Sequence, residues 1–233
     1  MSLVRTCAMA LSLSVSALAV SAACADEQPR PLPPPALDTP QSADGSQVVV
    51  LSGGCFWGMQ GVFEHVKGVR QVVAGYSGGA RNTANYQDVS EGNTGHAESV
   101  QITFDPRQIS YGELLRVFFS VAEDPTELNR QSPDEGTNYR SNIFYADPAQ
   151  ERIARSYIAQ LGHAHAFSKP IVTRVDKLTG FYPAENYHQD YLIHNPDSAY
   201  IVINDMPKIA ALKRIYPAMY RDAPVMVSMR PPS

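Results

Sequence analysis

The period of the hydrophobic pattern changes abruptly at one place in this chain, and that change restricts the fold more than any other feature. Val48-Val49-Val50-Leu51 is an unbroken β-rich run that ends at Gly53-Gly54. Met59, Val62, Phe63 and Val66 then fall at i, i+3, i+4 and i+7, the spacing of one helix face. A strand that passes straight into an amphipathic helix needs a second layer to bury both apolar surfaces, so the chain is expected to pack helices on a sheet.

The same alternation continues downstream. Residues 69–74 read as a second strand running into Gly75-Tyr76-Ser77-Gly78-Gly79, and Val100, Ile102 and Phe104 as a third, closed by Asp105-Pro106. Ser110 and Glu113 have capping-box spacing ahead of a helix face made by Leu114, Val117, Phe118 and Val121. Ile143-Phe144-Tyr145 is a fourth strand. Asp147-Pro148 opens a further helix with Ala154, Tyr157, Ile158 and Leu161 on its apolar face, and residues 171–175 form a last strand. The first six elements follow the order β-α-β-β-α-β, which is ferredoxin-like. The expected architecture is an α/β (α+β) two-layer sandwich on that core, with extra helices and a long C-terminal coil.

The ends read differently. Residues 1–25 have the composition of a secretion signal: Arg5, an apolar run over 8–20, and Ala23-Cys24-Ala25 as a cleavage site. The run is short of the roughly 20 apolar residues of a spanning helix. The protein is therefore expected to be exported, periplasmic or secreted, with lipid attachment at Cys24 as the alternative. Residues 26–46 hold Pro29, Pro31, Pro33, Pro34, Pro35 and Pro40, and read as an extended tether. The folded domain is expected over 47–216 and a surface tail over 217–233.

Composition narrows the function. A net charge of −4, from 19 Lys+Arg against 23 Asp+Glu and without a basic stripe, excludes a broad nucleic-acid footprint. Three cysteines exclude a disulfide scaffold and every four-cysteine zinc site. Loss of the leader would take Cys7 and Cys24 with it and leave Cys55 alone. No metal or cofactor is expected, and the working unit is expected to be a monomer.

Cys55 sits in Gly53-Gly54-Cys55-Phe56-Trp57-Gly58, between strand and helix. A thiol there meets the unpaired amide protons and the positive dipole end of the first helical turn, so its pKa is expected to fall. The flanking glycines permit a sharp turn and close approach of a substrate. Phe56 and the protein's single tryptophan, Trp57, suggest an apolar pocket for a small alkyl group. A buried, inert cysteine is the commoner fate of a free thiol, but an oxidising compartment is hazardous for an idle one.

At this point the chain resembles the peptide methionine sulfoxide reductase A family, which reduces the S-epimer of methionine sulfoxide. The likeness covers roughly 48–196 in five ordered blocks. These are Gly54-Cys55-Phe56-Trp57-Gly58; Gly75-Tyr76-Ser77-Gly78-Gly79 with Tyr86 and Gly92-Asn-Thr-Gly-His96-Ala-Glu98; Asp124-Pro-Thr126 with Asn129-Arg-Gln131; Asp134-Glu-Gly-Thr-Asn-Tyr139-Arg140-Ser141; and Phe181-Tyr-Pro-Ala-Glu185-Asn-Tyr187-His188-Gln189. The resemblance implies that Cys55 attacks the sulfoxide sulfur and Glu98 protonates the departing oxygen, which requires a raised carboxyl pKa. Tyr86 and Tyr139 would donate hydrogen bonds to that oxygen, and Asp134 would support them through water. Phe56 and Trp57 would hold the ε-methyl group, with Glu185, Tyr187 and His188 bordering the substrate. Substrates would be methionine sulfoxide-containing peptides and proteins, and the product a sulfenic acid on Cys55 that a thiol must reduce.

The chain departs from the family in having no cysteine after Cys55, so a resolving disulfide cannot form there. The reductant is then an external thiol, thioredoxin or a small molecule. Gln60, Ser132-Pro133 and Glu123 also replace the family's commoner residues. Two other readings use the same residues: a thiol hydrolase or acyl transferase with His96 or His188 as base, and an envelope protein that binds peptides on Phe56-Trp57. His163 and His165 read as exposed helix-end residues rather than a metal pair.

Overall fold

Strand β1 (Gln47–Ser52) runs into helix α1 (Phe56–Glu64) across Gly53-Gly54, as the change of period requires. The computed structural model of the protein describes residues 27–39 and 45–227. In chain order there follow β2 (Val69–Ser77), α2 (Tyr86–Ser90), β3 (Ala97–Phe104), α3 (Tyr111–Val117), the two-residue strands β4 (Arg130–Gln131) and β5 (Asp134–Glu135), and β6 (Asn142–Tyr145). The chain then forms α4 (Pro148–His163), β7 (Arg174–Lys177), β8 (Phe181–Pro183), α5 (Tyr191–His194) and α6 (Met206–Ile215). Wide helical turns at Phe118–Ala122 and Ile201–Asp205 end α3 and lead into α6.

The fold is mixed α/β. Six strands form one sheet in the order β7-β6-β1-β3-β2-β8, and β4 pairs with β5 in a separate ribbon. The pairs β6/β1, β1/β3, β3/β2 and β2/β8 are antiparallel, while β6/β7 is parallel. Successive side chains of β1 point to opposite faces. Val49 and Leu51 enter the large core beneath the helices, and Val50 joins Ala97 and Phe144 on the other face.

Local signals place the helices. Ser110 and Glu113 make both halves of the capping box, and Asp147 accepts hydrogen bonds from the N–H groups of Ala149 and Gln150. The last strand begins at Arg174 rather than at 171, and β8 was not foreseen. It is three residues long, includes Pro183 and lies at the sheet edge, where a missing amide proton costs nothing.

The proline-rich stretch corrects its expected role as a tether. Residues 27–39 are extended but docked along the body of the protein. Leu32 is only 3% exposed and belongs to the main core. Its carbonyl accepts from Arg116 Nε at 2.6 Å, its N–H donates to the Tyr216 hydroxyl at 3.0 Å, and Pro33 O accepts from the Tyr157 hydroxyl at 2.8 Å. Proline removes only its own amide proton; its carbonyl remains an acceptor for side chains of neighbouring helices. At the other end, the chain after Pro217 runs over the C-terminal end of α1, with the N–H groups of Arg221 and Val225 donating to His65 O and Glu64 O. The expected leader, with Cys7 and Cys24, lies outside the described residues.

Candidate active site

Gly54 makes the β1–α1 turn possible. Its φ is +89°, and a Cβ there would lie 2.7 Å from Gln131 Cβ, so both the backbone and the space demand glycine. Cys55 follows as the N-cap of α1 and is partly buried. It is the one free cysteine among the described residues.

The first turn of α1 leaves amide protons that need acceptors. Glu98 supplies one: its Oε2 accepts from Phe56 N–H at 3.0 Å. β3 carries Glu98 there because it lies between β1 and β2, opposite Tyr76 in the β2 register. Burial pushes the Glu98 carboxyl up to about 8; the Asp134 charge adds to this and the Phe56 N–H opposes it. The direction is the one expected for an acid that must keep its proton near neutral pH.

Tyr86 opens α2 and is anchored through its backbone, which donates to Glu185 Oε1 at 2.9 Å. Glu185 Oε2 accepts from the Tyr76 hydroxyl at 2.8 Å. Burial alone would raise the Glu185 carboxyl, but these hydrogen bonds outweigh it and hold it below the ordinary range. Tyr139 stands in the short helical turn Thr137–Tyr139, and Asp134 in β5 accepts a hydrogen bond from the Tyr200 hydroxyl. The hydroxyls of Tyr86 and Tyr139 both feel the charges of Cys55, Glu98 and Asp134, and burial first, then those charges, raise both above the usual tyrosine value. The five residues expected to carry chemistry are thus one cluster.

The aromatic border is equally compact. Trp57 stacks on Tyr191 with ring centres 3.8 Å apart, meets Tyr200 edge-on, and donates from Nε1 to His188 Nδ1 at 3.1 Å. Phe56 is 1% exposed and lies 4.9 Å from the His188 ring. Tyr187 is 63% exposed beside His188. Burial keeps His188 below the ordinary histidine value, against the pull of Glu185.

One expectation fails. The Cys55 thiol is pushed well above its ordinary value rather than lowered. Burial is the main cause, reinforced by Glu98, Asp205 and Asp134, and the one favourable amide, Trp57 N–H, is outweighed. The helix-end reading counted the dipole but not the carboxylates that tertiary packing gathers around the same turn.

The hydrolase reading loses its bases. His96 accepts from Gly79 N–H at Nδ1 (3.2 Å) and has Ala80 O 3.0 Å from Nε2, which those partners assign as a donor. His188 Nδ1 accepts from Trp57, which leaves the ring proton on Nε2, a buried nitrogen with no hydrogen-bond partner among the described residues. His163 and His165 lie exposed at the end of α4. Sequence reasoning missed Tyr191, Tyr200 and Asp205, which close the site from the C-terminal side. Only Asp205 carried a signal, as an Asp just ahead of Met206-Pro207 in the manner of Asp147-Pro148.

A protein-family model described as peptide methionine sulfoxide reductase matches residues 47–219. The chain is similar to the Mesorhizobium japonicum protein named peptide methionine sulfoxide reductase MsrA 2, at 56% identity over 187 residues that cover 80% of this chain and 96% of that one. A Synechocystis protein of the same name is 50% identical over 175 residues, covering 75% and 82%. Among solved structures, the reduced form of Mxr1 from Saccharomyces cerevisiae superposes with a TM-score of 0.59 at 29% identity, covering 68% of this chain and 91% of that one. Methionine sulfoxide reductase A of Corynebacterium diphtheriae gives 0.56 at 33% identity, covering 72% and 84%.

Proposed function

Because this chain belongs to the peptide methionine sulfoxide reductase family, oxidoreductases that reduce methionine sulfoxide, we propose that it reduces the S-epimer through a sulfenic acid on Cys55. The observation that carries the reading is the shared first turn of α1: Cys55 caps it, and Phe56 N–H fixes Glu98 beside it. Nucleophile and acid are then held in one rigid junction between β1, β3 and α1.

The Cys55 sulfur attacks the sulfoxide sulfur while Glu98, neutral below about pH 8, gives its proton to the oxygen. The hydroxyls of Tyr86 and Tyr139 stabilise the charge that develops there. The oxygen passes to Cys55, the thioether leaves, and the thiol hydrogen of Cys55 restores Glu98. In sum, Cys55–SH and a sulfoxide give Cys55–SOH and a thioether, with every atom and proton accounted for. Phe56 and Trp57 receive the methyl group, and Asp134, tied to Tyr200, orients the oxygen-binding side. Glu185, Tyr187 and His188 border the peptide.

Regeneration uses two external thiols. One attacks the sulfenic acid, forming a mixed disulfide and water, and the second releases Cys55 as a thiol. The lack of any cysteine after Cys55 supports this reading, with a thioredoxin-type protein or a small thiol as reductant. The leader composition supports repair of exported proteins in the cell envelope, with lipid attachment at Cys24 as the alternative to cleavage.

The test pairs separate S- and R-sulfoxide peptides with dithiothreitol as reductant. The wild type should consume the S-epimer alone, and Cys55→Ser should give no methionine. Turnover surviving in that variant, or equal use of both epimers, would overturn the proposal.

A further inference from the structure

Asp205 closes the wide helical turn Ile201–Asp205 that runs straight into α6, so its backbone is helical and its side chain, unlike that of Asp147, caps nothing. The side chain is 0% exposed, and neither carboxylate oxygen receives a hydrogen bond among the described residues. It turns instead against α1: a Cβ on Gly58 would come within 2.0 Å of Asp205 Oδ1. Gly58 is the third residue of the helix that Cys55 caps, so this carboxylate occupies the same dipole end as the reactive sulfur. Its ion partner is Lys208 Nζ, 3.5 Å away and one turn along α6.

We propose that Asp205 is a positioning residue for sulfoxide reduction, its charge at the α1 N-terminus keeping Cys55 in the thiol form in the free enzyme and Lys208 moderating that charge. The inference rests on Cys55 as nucleophile. Its physical sense is that the reaction consumes a thiol hydrogen, and a resting thiol is far less open to stray oxidation than a thiolate. The groups facing Cys55 are Glu98 from β3, Asp134 from β5, Asp205, and the hydroxyls of Tyr86, Tyr139 and Tyr200; those facing Asp205 are Lys208, Asp134 and Tyr200. Gly58 serves the arrangement, since any side chain there would expel the carboxylate.

The experiment measures alkylation of Cys55 by iodoacetamide between pH 6 and 10 on the full chain, with the Cys55 peptide quantified by mass spectrometry. This readout needs no sulfoxide turnover, so it fails separately from the proposed activity. Asp205→Asn removes the negative charge and should speed alkylation about tenfold at a given pH, moving the rate profile down by about one pH unit. Lys208→Met unmasks Asp205 and should move the profile the other way. A mere packing role moves both variants in one direction, and that result, or an unmoved profile in a folded Asp205→Asn protein, overturns the proposal. If Asp205→Asn fails to fold, Lys208→Met decides alone: slower alkylation supports the proposal, and unchanged or faster alkylation overturns it.

Discussion

Glu98 Oε2 accepts the Phe56 N–H at 3.0 Å, so the acid of the site is bonded to the residue that directly follows the nucleophile. Glu98 can donate a proton only while protonated, and burial raises its carboxyl to about 8. The single-turnover rate of methionine formation should hold below that value and fall as pH rises through it. Glu98→Gln keeps a hydrogen-bonding side chain but cannot give up a proton, and should slow the step on the order of 100-fold. The alkaline limb should vanish in that variant. A wild-type rate that stays level to pH 9.5 assigns the proton to another group.

The β1–α1 junction was legible because it is written in neighbouring residues: a β-rich run, two glycines, then helical spacing. The caps at Ser110 and Asp147 were legible for the same reason, since each satisfies amides two or three positions away. What stayed hidden is non-local. No spacing rule ties Tyr200 to Asp134, 66 positions apart, or places Asp205 beside Gly58. The acidity of Cys55 was misread on that account, because it depends first on burial and then on carboxylates delivered by three separate segments. Leu32 escaped notice because its proline neighbours suggested a linker, although their carbonyls still accept hydrogen bonds.

Gly54→Ala should damage stability and turnover together. The left-handed backbone costs a side chain about 1–2 kcal/mol, and the new Cβ collides with Gln131. Gln131 holds Asp124 through both amide atoms and pairs with Asp134 across the β4–β5 ribbon. Displacing it therefore misplaces the Asp134–Tyr200 pair as well. Thermal melting and steady-state turnover measure the two effects, and a wild-type melting temperature with wild-type turnover contradicts the prediction.

Leu32→Ala separates a docked strap from a free tether. Truncating a leucine in the main core should cost about 2 kcal/mol, the lower end for such a change because the strap can shift to close the gap. Urea unfolding followed by tryptophan fluorescence reads it through Trp57. A change within about 0.5 kcal/mol, ordinary for a surface position, is what a free linker would give.

Glu64 supplies a dependence on pH that has nothing to do with catalysis. Its carboxyl is fully buried against Asp190, which accepts from Val227 N–H at 3.1 Å on the returning tail. Burial first, then the neighbouring Asp190 carboxylate, push Glu64 from an ordinary 4.5 up to about 10. The folded protein thus keeps a proton that the unfolded chain releases above about 4.5. By linkage its stabilising contribution is complete below that pH and is lost progressively as pH rises toward 10. Glu64→Gln cannot ionise and still offers an amide donor to Asp190, so it should flatten this slope. At pH 9 the variant should be the more stable protein, by on the order of a few kcal/mol. Urea unfolding at pH 5 and pH 9 gives both slopes, and parallel slopes for the two proteins show that Glu64 does not carry this proton.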